Sequence, residues 1–257
     1  TDETIDLSSF TTTATFRFTF GAASGHHYGR SSLVSGTTHP RHSKTGAVMF
    51  NITTQDVTIQ DLELLTSAES AFAVVSVVSV VPVSSEVIVR RCVIDGALTA
   101  GAPSIANHGI HINNANCTPN LYRNIVYGLG GQGIFVQTAA AGVINQNTAY
   151  NNRLGASGRN IRISSAVAQT VSQNLALTAA AVQGYTFTGG AHVRSKNAGT
   201  DTTSDAGYQS YVCADQGKNT PTTLDRPTTD CRLRRIATGI NLGDTLGAPY
   251  NVDVAQY

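Results

Sequence analysis

The chain has 257 residues, of which 41% are hydrophobic and only 13% charged, and its polar residues are mainly Thr, Ser, Asn, Gln and Gly, a composition typical of β-proteins. The formal net charge of +1 and the lack of a Lys/Arg run exclude nucleic acid as an expected partner. The most apolar stretch, residues 71–83, is interrupted by serines and falls short of the roughly 20 residues of a transmembrane helix, so we expect no membrane insertion.

Residues 1–47 are rich in Thr, Ser and Gly and contain one alternating, strand-like run, FRFTF from Phe16 to Phe20. They precede a repeated region. The first unit of a repeat protein would expose its core unless an atypical end segment covered it. We therefore predict an N-terminal cap over residues 1–47.

Four histidines fall in this N-terminal segment, namely His26, His27, His39 and His42. Two or three imidazoles gathered from them would suit a transition metal. Their spacing matches no zinc motif, however, and a polar capping loop is the interpretation that we favour. We expect neither a metal nor another cofactor.

Residues 48–200 carry two interleaved series of short apolar runs. The first reads VMFN, FAVV, IHIN, IFVQ, IRIS and YTFT, beginning at Val48, Phe72, Ile110, Ile134, Ile161 and Tyr185. The second is a set of octets, IQDLELLT, VRRCVIDG, LYRNIVYG, INQNTAYN, VSQNLALT and, more weakly, VRSKNAGT, beginning at Ile59, Val89, Leu121, Ile144, Val171 and Val193. Most successive runs of the first series begin about 24 to 27 residues apart, and internal repeats of this period indicate a solenoid.

The octets align in columns. Their first and sixth positions are apolar or Ala throughout, which fits strands that meet at a bend and point inward on either side of it. An antiparallel sandwich would also give regular strand spacing, but it would not keep the columns in constant register. We predict an all-β chain that forms a right-handed parallel β-helix of about six coils.

The fourth octet column reads Leu62, Cys92, Asn124, Asn147, Asn174 and Lys196. Three asparagines in register predict an Asn ladder of Asn124, Asn147 and Asn174, since stacked amides can hydrogen-bond from coil to coil at a tight bend. Scattered surface asparagines are the alternative. The apolar columns on both sides favour the ladder.

Residues 201–257 are predicted to close the other end as a C-terminal cap and irregular tail of the same continuous domain. Cys213 and Cys231 bracket a loop rich in Thr, Pro and Asp, where a disulfide would be useful because such a loop has little core of its own. They are either bonded or free. Cys92 lies in an apolar pattern and is interpreted as a small buried hydrophobe.

The motifs IHINNAN, LYRNIVYG, IFVQ, INQNTAYNN and VSQNLALT resemble the right-handed parallel β-helix proteins of the pectate-lyase-like superfold over roughly residues 48–200. That group includes polysaccharide lyases, glycoside hydrolases and bacteriophage tailspike and virion proteins. The resemblance implies the fold and leaves the activity open.

Acidic residues are the test for catalysis on such a fold, because hydrolysis of a polysaccharide needs two carboxyl groups a few Å apart. Asp61 and Glu63 share a strand face, but the next coil offers Arg91, so an Asp61–Arg91 salt bridge is the favoured interpretation. Lyases that the chain resembles use a calcium-binding acidic cluster, which is missing here. Arg91 and Arg123 are kept as candidate binding residues, and no catalytic residue is predicted.

Two further columns suggest surfaces. Tyr127 and Tyr150 occupy the seventh octet position of successive coils, where their rings could stack on a sugar or on another protein. Val93, Ile125 and Leu175 form an apolar stripe in the fifth column, which we expect to be exposed on an isolated solenoid and to serve as an assembly interface.

The residues together favour a non-catalytic structural or adhesive protein. The resemblance implies a bacteriophage virion component, such as a decoration, fibre or tailspike-like protein, that mediates assembly or attachment to a surface glycan. Its expected partners are other virion or surface proteins, a second copy of the chain (trimers are common among phage β-helices) and a cell-surface glycan, and its expected location is the virion or the extracellular space. The alternative is a secreted carbohydrate-active enzyme, a polysaccharide lyase or glycoside hydrolase on the same fold.

Overall fold

A computed structural model of the chain describes residues 4–7, 17–21, 41–44, 48–53, 56–66, 73–77, 85–96, 108–150, 152, 159–177, 184–199 and 203–206. Every regular element in these ranges is a β-strand. The same ranges contain no helix with the length and hydropathy needed to span a lipid bilayer.

In the described ranges, 21 short strands form three sheets of seven strands each. Sheet A consists of β1 (Ile5–Asp6), β4 (Phe50–Asn51), β7 (Ala73–Val77), β10 (His108–Asn113), β13 (Ile134–Thr138), β16 (Ile161–Ile163) and β19 (Tyr185–Phe187). Sheet B consists of β2 (Phe18–Gly21), β5 (Val57–Gln60), β8 (Ser85–Arg90), β11 (Cys117–Tyr122), β14 (Val143–Asn145), β17 (Thr170–Ser172) and β20 (Val193–Ser195). Sheet C consists of β3 (Arg41–Lys44), β6 (Glu63–Thr66), β9 (Val93–Asp95), β12 (Ile125–Tyr127), β15 (Thr148–Tyr150), β18 (Leu175–Leu177) and β21 (Ala198–Gly199).

The chain visits sheets A, B and C in turn, and each strand pairs in parallel with the strands of the same sheet in the neighbouring circuits. The register is constant along sheet A, where Ile110 lies beside Ile134, Ile134 beside Ile161, and Ile161 beside Tyr185. Parallel strands in three sheets confirm the all-β prediction and are consistent with the predicted parallel β-helix.

The segment that was predicted as an N-terminal cap contributes a strand to each sheet. β1 pairs with β4, β2 with β5 and β3 with β6, in each case in parallel. The alternating Phe18 and Phe20 of the FRFTF run are half-buried and pack against the core, while Thr19 between them is exposed. The run is therefore a strand, as its alternation predicts.

The core lies between the three sheets and is filled by inward-facing residues of all three. Ile59, Val89, Leu121, Ile144 and Val171, the first octet column, are all fully buried in one cluster. β-branched residues dominate because they suit the pleated backbone, and burying each such side chain stabilises the fold by about 1.5–3 kcal/mol. A single circuit has no apolar face to pack against, so these contacts exist only because the circuits stack.

A two-residue corner joins the sheet B strand to the following sheet C strand in the six circuits from β5 to β21. Its first residue adopts a left-handed backbone, with φ between 51° and 58°, at Asp61, Arg91, Arg123, Gln146, Gln173 and Lys196. Non-glycine residues rarely hold this conformation and it costs free energy, so its recurrence requires that the surrounding bonds fix it.

The alignment of the last octet is wrong by one residue. Arg194, not Val193, lies beside Val171 in the first column. Lys196 therefore belongs to the left-handed third column, and Asn197 occupies the fourth column in which Lys196 was expected.

Candidate functional site

The second corner residue is an asparagine in four successive circuits, and these side chains form a buried ladder. Nδ2 of Asn124 donates to Oδ1 of Asn147 at 3.0 Å, Nδ2 of Asn147 to Oδ1 of Asn174 at 3.0 Å, and Nδ2 of Asn174 to Oδ1 of Asn197 at 2.9 Å. The predicted ladder of three is thus present and extends by a fourth member, Asn197.

The same amides also satisfy the backbone at the corner. Oδ1 of Asn147 accepts the backbone N–H of Asn124 at 3.1 Å, and Nδ2 of Asn147 donates to the carbonyl of Leu121 at 2.9 Å. Each rung therefore pairs buried main-chain groups that the turn leaves out of the sheets, which explains why the left-handed backbone persists.

Cys92 begins the ladder on the N-terminal side. Its backbone N–H donates to Oδ1 of Asn124 at 3.1 Å, and its Sγ lies 3.8 Å from the Ile59 carbonyl, the place that an Asn Nδ2 takes in later circuits. Burial raises the pKa of the Cys92 thiol to about 12, and burial also raises the pKa of Cys117 to about 12. Neither free thiol is a nucleophile at neutral pH, because the thiolate is the reactive form.

The ladder ends on a carboxylate. Oδ2 of Asp205 accepts the backbone N–H of Asn197 at 2.9 Å and its Nδ2 at 2.8 Å. The other oxygen of Asp205 forms a 2.6 Å ion pair with Arg194, whose guanidinium lies 4.0 Å over the ring of Phe187.

The third corner column holds the two arginines that the sequence singled out. Arg91 makes two hydrogen bonds to Asp61, of 2.6 and 2.7 Å, which is the predicted salt bridge. Arg123 is only 2% exposed and donates from Nε to Gln146 at 3.0 Å. Both guanidiniums thus serve the corner, and Arg123 is too buried to meet a ligand.

Tyr127 and Tyr150 stack as their column predicts, with ring centroids 5.0 Å apart and nearly parallel planes. The chain itself buries them, however, to 3% and 4% exposure. A sugar ring has no access to either face in this structure, so the geometry does not support the predicted binding role.

Val93 and Ile125 are register neighbours in sheet C, and Thr148 lies between Ile125 and Leu175. The expectation that the three apolar residues are exposed is wrong. They are 3%, 3% and 8% exposed within the single chain. Alternation shows which side of a sheet a residue occupies but not what covers that side. An assembly role for this stripe stays a prediction, and the single chain offers no accessible surface at these three residues.

The carboxylates are the groups that a glycosidase would use. Each one whose side chain is described is buried or bonded within the fold; they are Asp56, Asp61, Glu63, Glu86, Asp95 and Asp205. Asp56 and Glu86 come closest to a pair, since Asp56 accepts the Glu86 backbone N–H at 3.0 Å and Arg17 lies against both carboxylates. Arg17 thereby neutralises the charge that a catalytic pair would need.

The outer face of sheet A carries a column of planar side chains that the sequence analysis did not connect. His111, Phe135 and Arg162 are register neighbours on β10, β13 and β16. The imidazole of His111 is parallel to the Phe135 ring with centroids 4.9 Å apart, and the Arg162 guanidinium lies 4.9 Å from the same ring centroid.

His108 lies beside this column. Its ring contacts His111 edge to face at 5.1 Å, and its Nδ1 accepts the backbone N–H of Gln132 at 3.1 Å. Burial, with smaller contributions from the charges of His111 and Arg162, lowers the pKa of His108 to about 4. Burial also lowers the pKa of His111, so both imidazoles are neutral at pH 7.

One signal in the sequence marks this region and was missed. Residues 96–200 contain no Asp or Glu, whereas they contain six Arg and Lys residues and three His. A balanced net charge of the whole chain conceals this local asymmetry, which only a segment-by-segment count reveals.

Two predictions lie outside the described residues. The first is the possible disulfide between Cys213 and Cys231. The second is the histidine cluster, since His26, His27 and His39 and the side chain of His42 are not described. Within the described part of the chain, no group of three His, Cys, Asp or Glu side chains is placed to hold a metal ion.

Comparison with known proteins gives no relative: no protein family, curated protein or solved structure matches this chain.

Proposed function

We propose that this chain is a non-catalytic structural or adhesive β-helix protein, and that it serves as a bacteriophage virion component, of the decoration, fibre or tailspike-like kind, in assembly or in attachment to a surface glycan. The observation that carries the non-catalytic part is the use of the carboxylates. All six described ones are buried or bonded within the fold, and hydrolysis of a glycan needs two that face a substrate.

The architecture supports a structural role. A side-chain ladder that runs through four circuits and ends on Asp205 couples each circuit to the next in addition to the sheet hydrogen bonds. Such a stack resists local opening, because an amide released from one rung leaves buried polar groups unpaired on two others. Resistance of this kind suits a protein that must hold a fixed shape outside the cell.

The proposal includes the finer features of the solenoid. We infer right-handed winding, because parallel crossover connections are right-handed in nearly all proteins. Seven strands in each sheet support about seven circuits rather than about six, with segment 1–47 forming the first circuit as well as an end. The ends as caps, the domain limits, and the virion or extracellular location belong to the same proposal.

The alternative is a secreted polysaccharide lyase or glycoside hydrolase, for which Asp56 and Glu86 are the acid pair to test. Purified protein is incubated with a panel of neutral and acidic polysaccharides, and both retention on the polysaccharide and release of new chain ends are measured. We expect retention without chain cleavage. Cleavage that is lost in Glu86→Gln but kept in Asp205→Asn would overturn the proposal in favour of the enzyme.

The virion assignment has its own test, which is quantitative mass spectrometry of purified particles from the source. We expect the chain in a fixed ratio to the other particle proteins, together with the virion proteins or further copies of itself that it contacts. Its recovery only as a free secreted protein would contradict this assignment and leave the adhesive role standing.

A further inference from the structure

Segment 96–200, the middle of the chain, carries positive charges but has no acidic residue of its own to neutralise them. Of the sixteen acidic residues, nine precede residue 96 and seven follow residue 200. Arg194 reaches beyond this segment to pair with Asp205. Arg162 has no ion pair in the described part of the chain, and its Nε is buried without a hydrogen-bond partner.

Arg162 projects from the outer face of sheet A, since Ile161 and Ile163 on either side of it point into the core. Its neighbour in the next circuit is Thr186, and the Nε of Arg159 donates to the Thr186 hydroxyl at 3.0 Å. Arg162 is thus the register neighbour of Thr186, while its guanidinium packs on the Phe135 ring of the preceding circuit. Segment 96–200 contains no carboxylate that could pair with Arg159 or Arg162.

Neutral hydrogen-bonding groups continue this surface toward the preceding circuits. His111 Nε2 and Gln137 Oε1 lie 3.1 Å apart on an exposed part of the face. We define the anion face as Arg159, Arg162, Thr186, His111 and Gln137. It combines two planar forks of N–H donors with a hydroxyl, an amide and an imidazole.

We propose that the anion face binds an oxyanion group of an acidic glycan, with Arg162 as its principal donor. The inference rests on the proposed adhesive function and gives that function a place on the molecule and a ligand class. Guanidinium suits the purpose because its fork geometry matches carboxylate, sulfate and phosphate oxygens with two parallel hydrogen bonds. The surrounding hydroxyl and amide groups suit the hydroxyls of a sugar.

A nucleic acid is the less fitting polyanion. Binding of unpaired bases relies on aromatic faces on which the bases stack. Among the described residues, the phenyl ring of this surface, Phe135, is covered by His111 on one side and Arg162 on the other. Neither face of that phenyl ring is open to a base, whereas an oxyanion needs only the donors at the edge of the column.

The test compares polymers with one backbone, namely dextran, dextran sulfate and carboxymethyl-dextran, by equilibrium binding to the intact chain at fixed ionic strength. We expect binding to at least one anionic polymer and none to dextran, and the preferred polymer identifies the oxyanion as sulfate or carboxylate. Arg162→Gln should weaken that binding by about tenfold or more, the loss expected for one charge-assisted, two-bond contact.

Two variants make the result specific. Arg162→Lys keeps the charge but not the fork, so it should fall between wild type and Arg162→Gln and also show that the fold survives at this position. Arg90→Gln removes one guanidinium from the outer face of sheet B, where Arg90 bonds to Gln60 and Tyr122, and should bind like wild type. Thermal melting of each variant verifies folding.

The outcomes separate the two proposals. An equal loss in Arg90→Gln and Arg162→Gln, or a duplex DNA that binds as tightly as the anionic dextrans at equal charge, overturns the anion face as a glycan site. Retention on neutral polysaccharides with no preference for anionic ones overturns it too, while adhesion stands. Failure to bind any polysaccharide of the wider panel overturns the adhesive function together with its site.

Discussion

Asn147 shows how one side chain fixes the position of three circuits. Its amide accepts from the backbone and side chain of Asn124 and donates to the Leu121 carbonyl and to Asn174. These groups lie in the buried corner, where water cannot replace a lost partner. The Asn147 amide therefore supplies hydrogen bonds to main-chain groups that have no main-chain partner. Its removal should lower the free energy of unfolding by more than the loss of its small apolar surface alone would.

Asn147→Ala is expected to lower the free energy of unfolding by about 3 kcal/mol, because it leaves at least one buried N–H and one buried carbonyl unpaired. Urea denaturation at equilibrium measures this change. Asn116→Ala is the matched control, since Asn116 is exposed in the turn between β10 and β11, and we expect a change within about 0.5 kcal/mol. Equal effects of the two substitutions would show that the ladder adds no stability.

At the scale of the element, the last described circuit carries polar groups where earlier circuits carry apolar ones. Arg194 stands in a column that is Ile, Val or Leu in the five circuits before it. Its guanidinium covers the Phe187 ring and pairs with Asp205, which in turn takes the place of a further ladder asparagine. Charge is accommodated at this point because, among the described residues, no further strand of sheet B packs on β20.

Arg194→Ala should loosen β19, β20 and β21 without unfolding the middle of the stack, because contacts in a solenoid are made between nearest neighbours. Hydrogen exchange of the backbone amides is the measurement, with β10, β11 and β12 as the internal control. We expect about tenfold faster exchange in the last circuit, equivalent to about 1.4 kcal/mol, and no change in the control strands. Uniform acceleration across all circuits would contradict a local role.

Strand positions in the middle circuits follow from the sequence because each octet keeps its two apolar positions at the same separation, although the interval between octets varies. The same rule misplaced the last octet. It selected Val193 for the apolar first column, whereas the structure places Arg194 there and leaves Val193 61% exposed. Apolar periodicity reflects burial between two circuits, and it fails at β20, beyond which the described residues form no further strand of sheet B. Asn197 was lost from the predicted ladder for this reason alone.

Across the whole molecule, the alternation of apolar and polar residues predicts which face of a sheet a residue occupies. Whether that face is accessible to a partner depends on which other parts of the folded chain pack against it. Tyr127, Tyr150 and the stripe of Val93, Ile125 and Leu175 were assigned to the outer face of a strand, where a partner could reach them, and all five are buried. His111, Phe135 and Arg162 share the second position of the runs IHIN, IFVQ and IRIS, but the apolar pattern of these runs gives no reason to connect a histidine, a phenylalanine and an arginine. Their grouping follows from the stacking of sheet A, which is a property of the assembled circuits.

His108, buried in the acid-free middle of the chain, is the residue through which we expect the whole molecule to respond to mild acid. His108 accepts the Gln132 N–H at Nδ1, a bond that only the neutral imidazole can accept, and the titratable or charged groups beside it are His111 and Arg162. β7 and β13, which flank β10, present no further charged side chain to it among the described residues. Protonation would thus add charge beside a cation with no acid of segment 96–200 to offset it.

Because the pKa of His108 is about 4 in the folded chain and 6.5 for an exposed imidazole, the unfolded state binds the extra proton between these limits. The neutral His108 therefore contributes stability that is complete above about pH 6.5 and is lost as the pH falls toward about 4. We expect the melting temperature to fall over this interval, and to fall less in His108→Asn, whose Oδ1 accepts a hydrogen bond but does not titrate. Parallel curves for the two proteins would place the acid sensitivity elsewhere. A smaller slope in the variant would show that the acid sensitivity acts through one buried imidazole whose hydrogen bond joins two circuits.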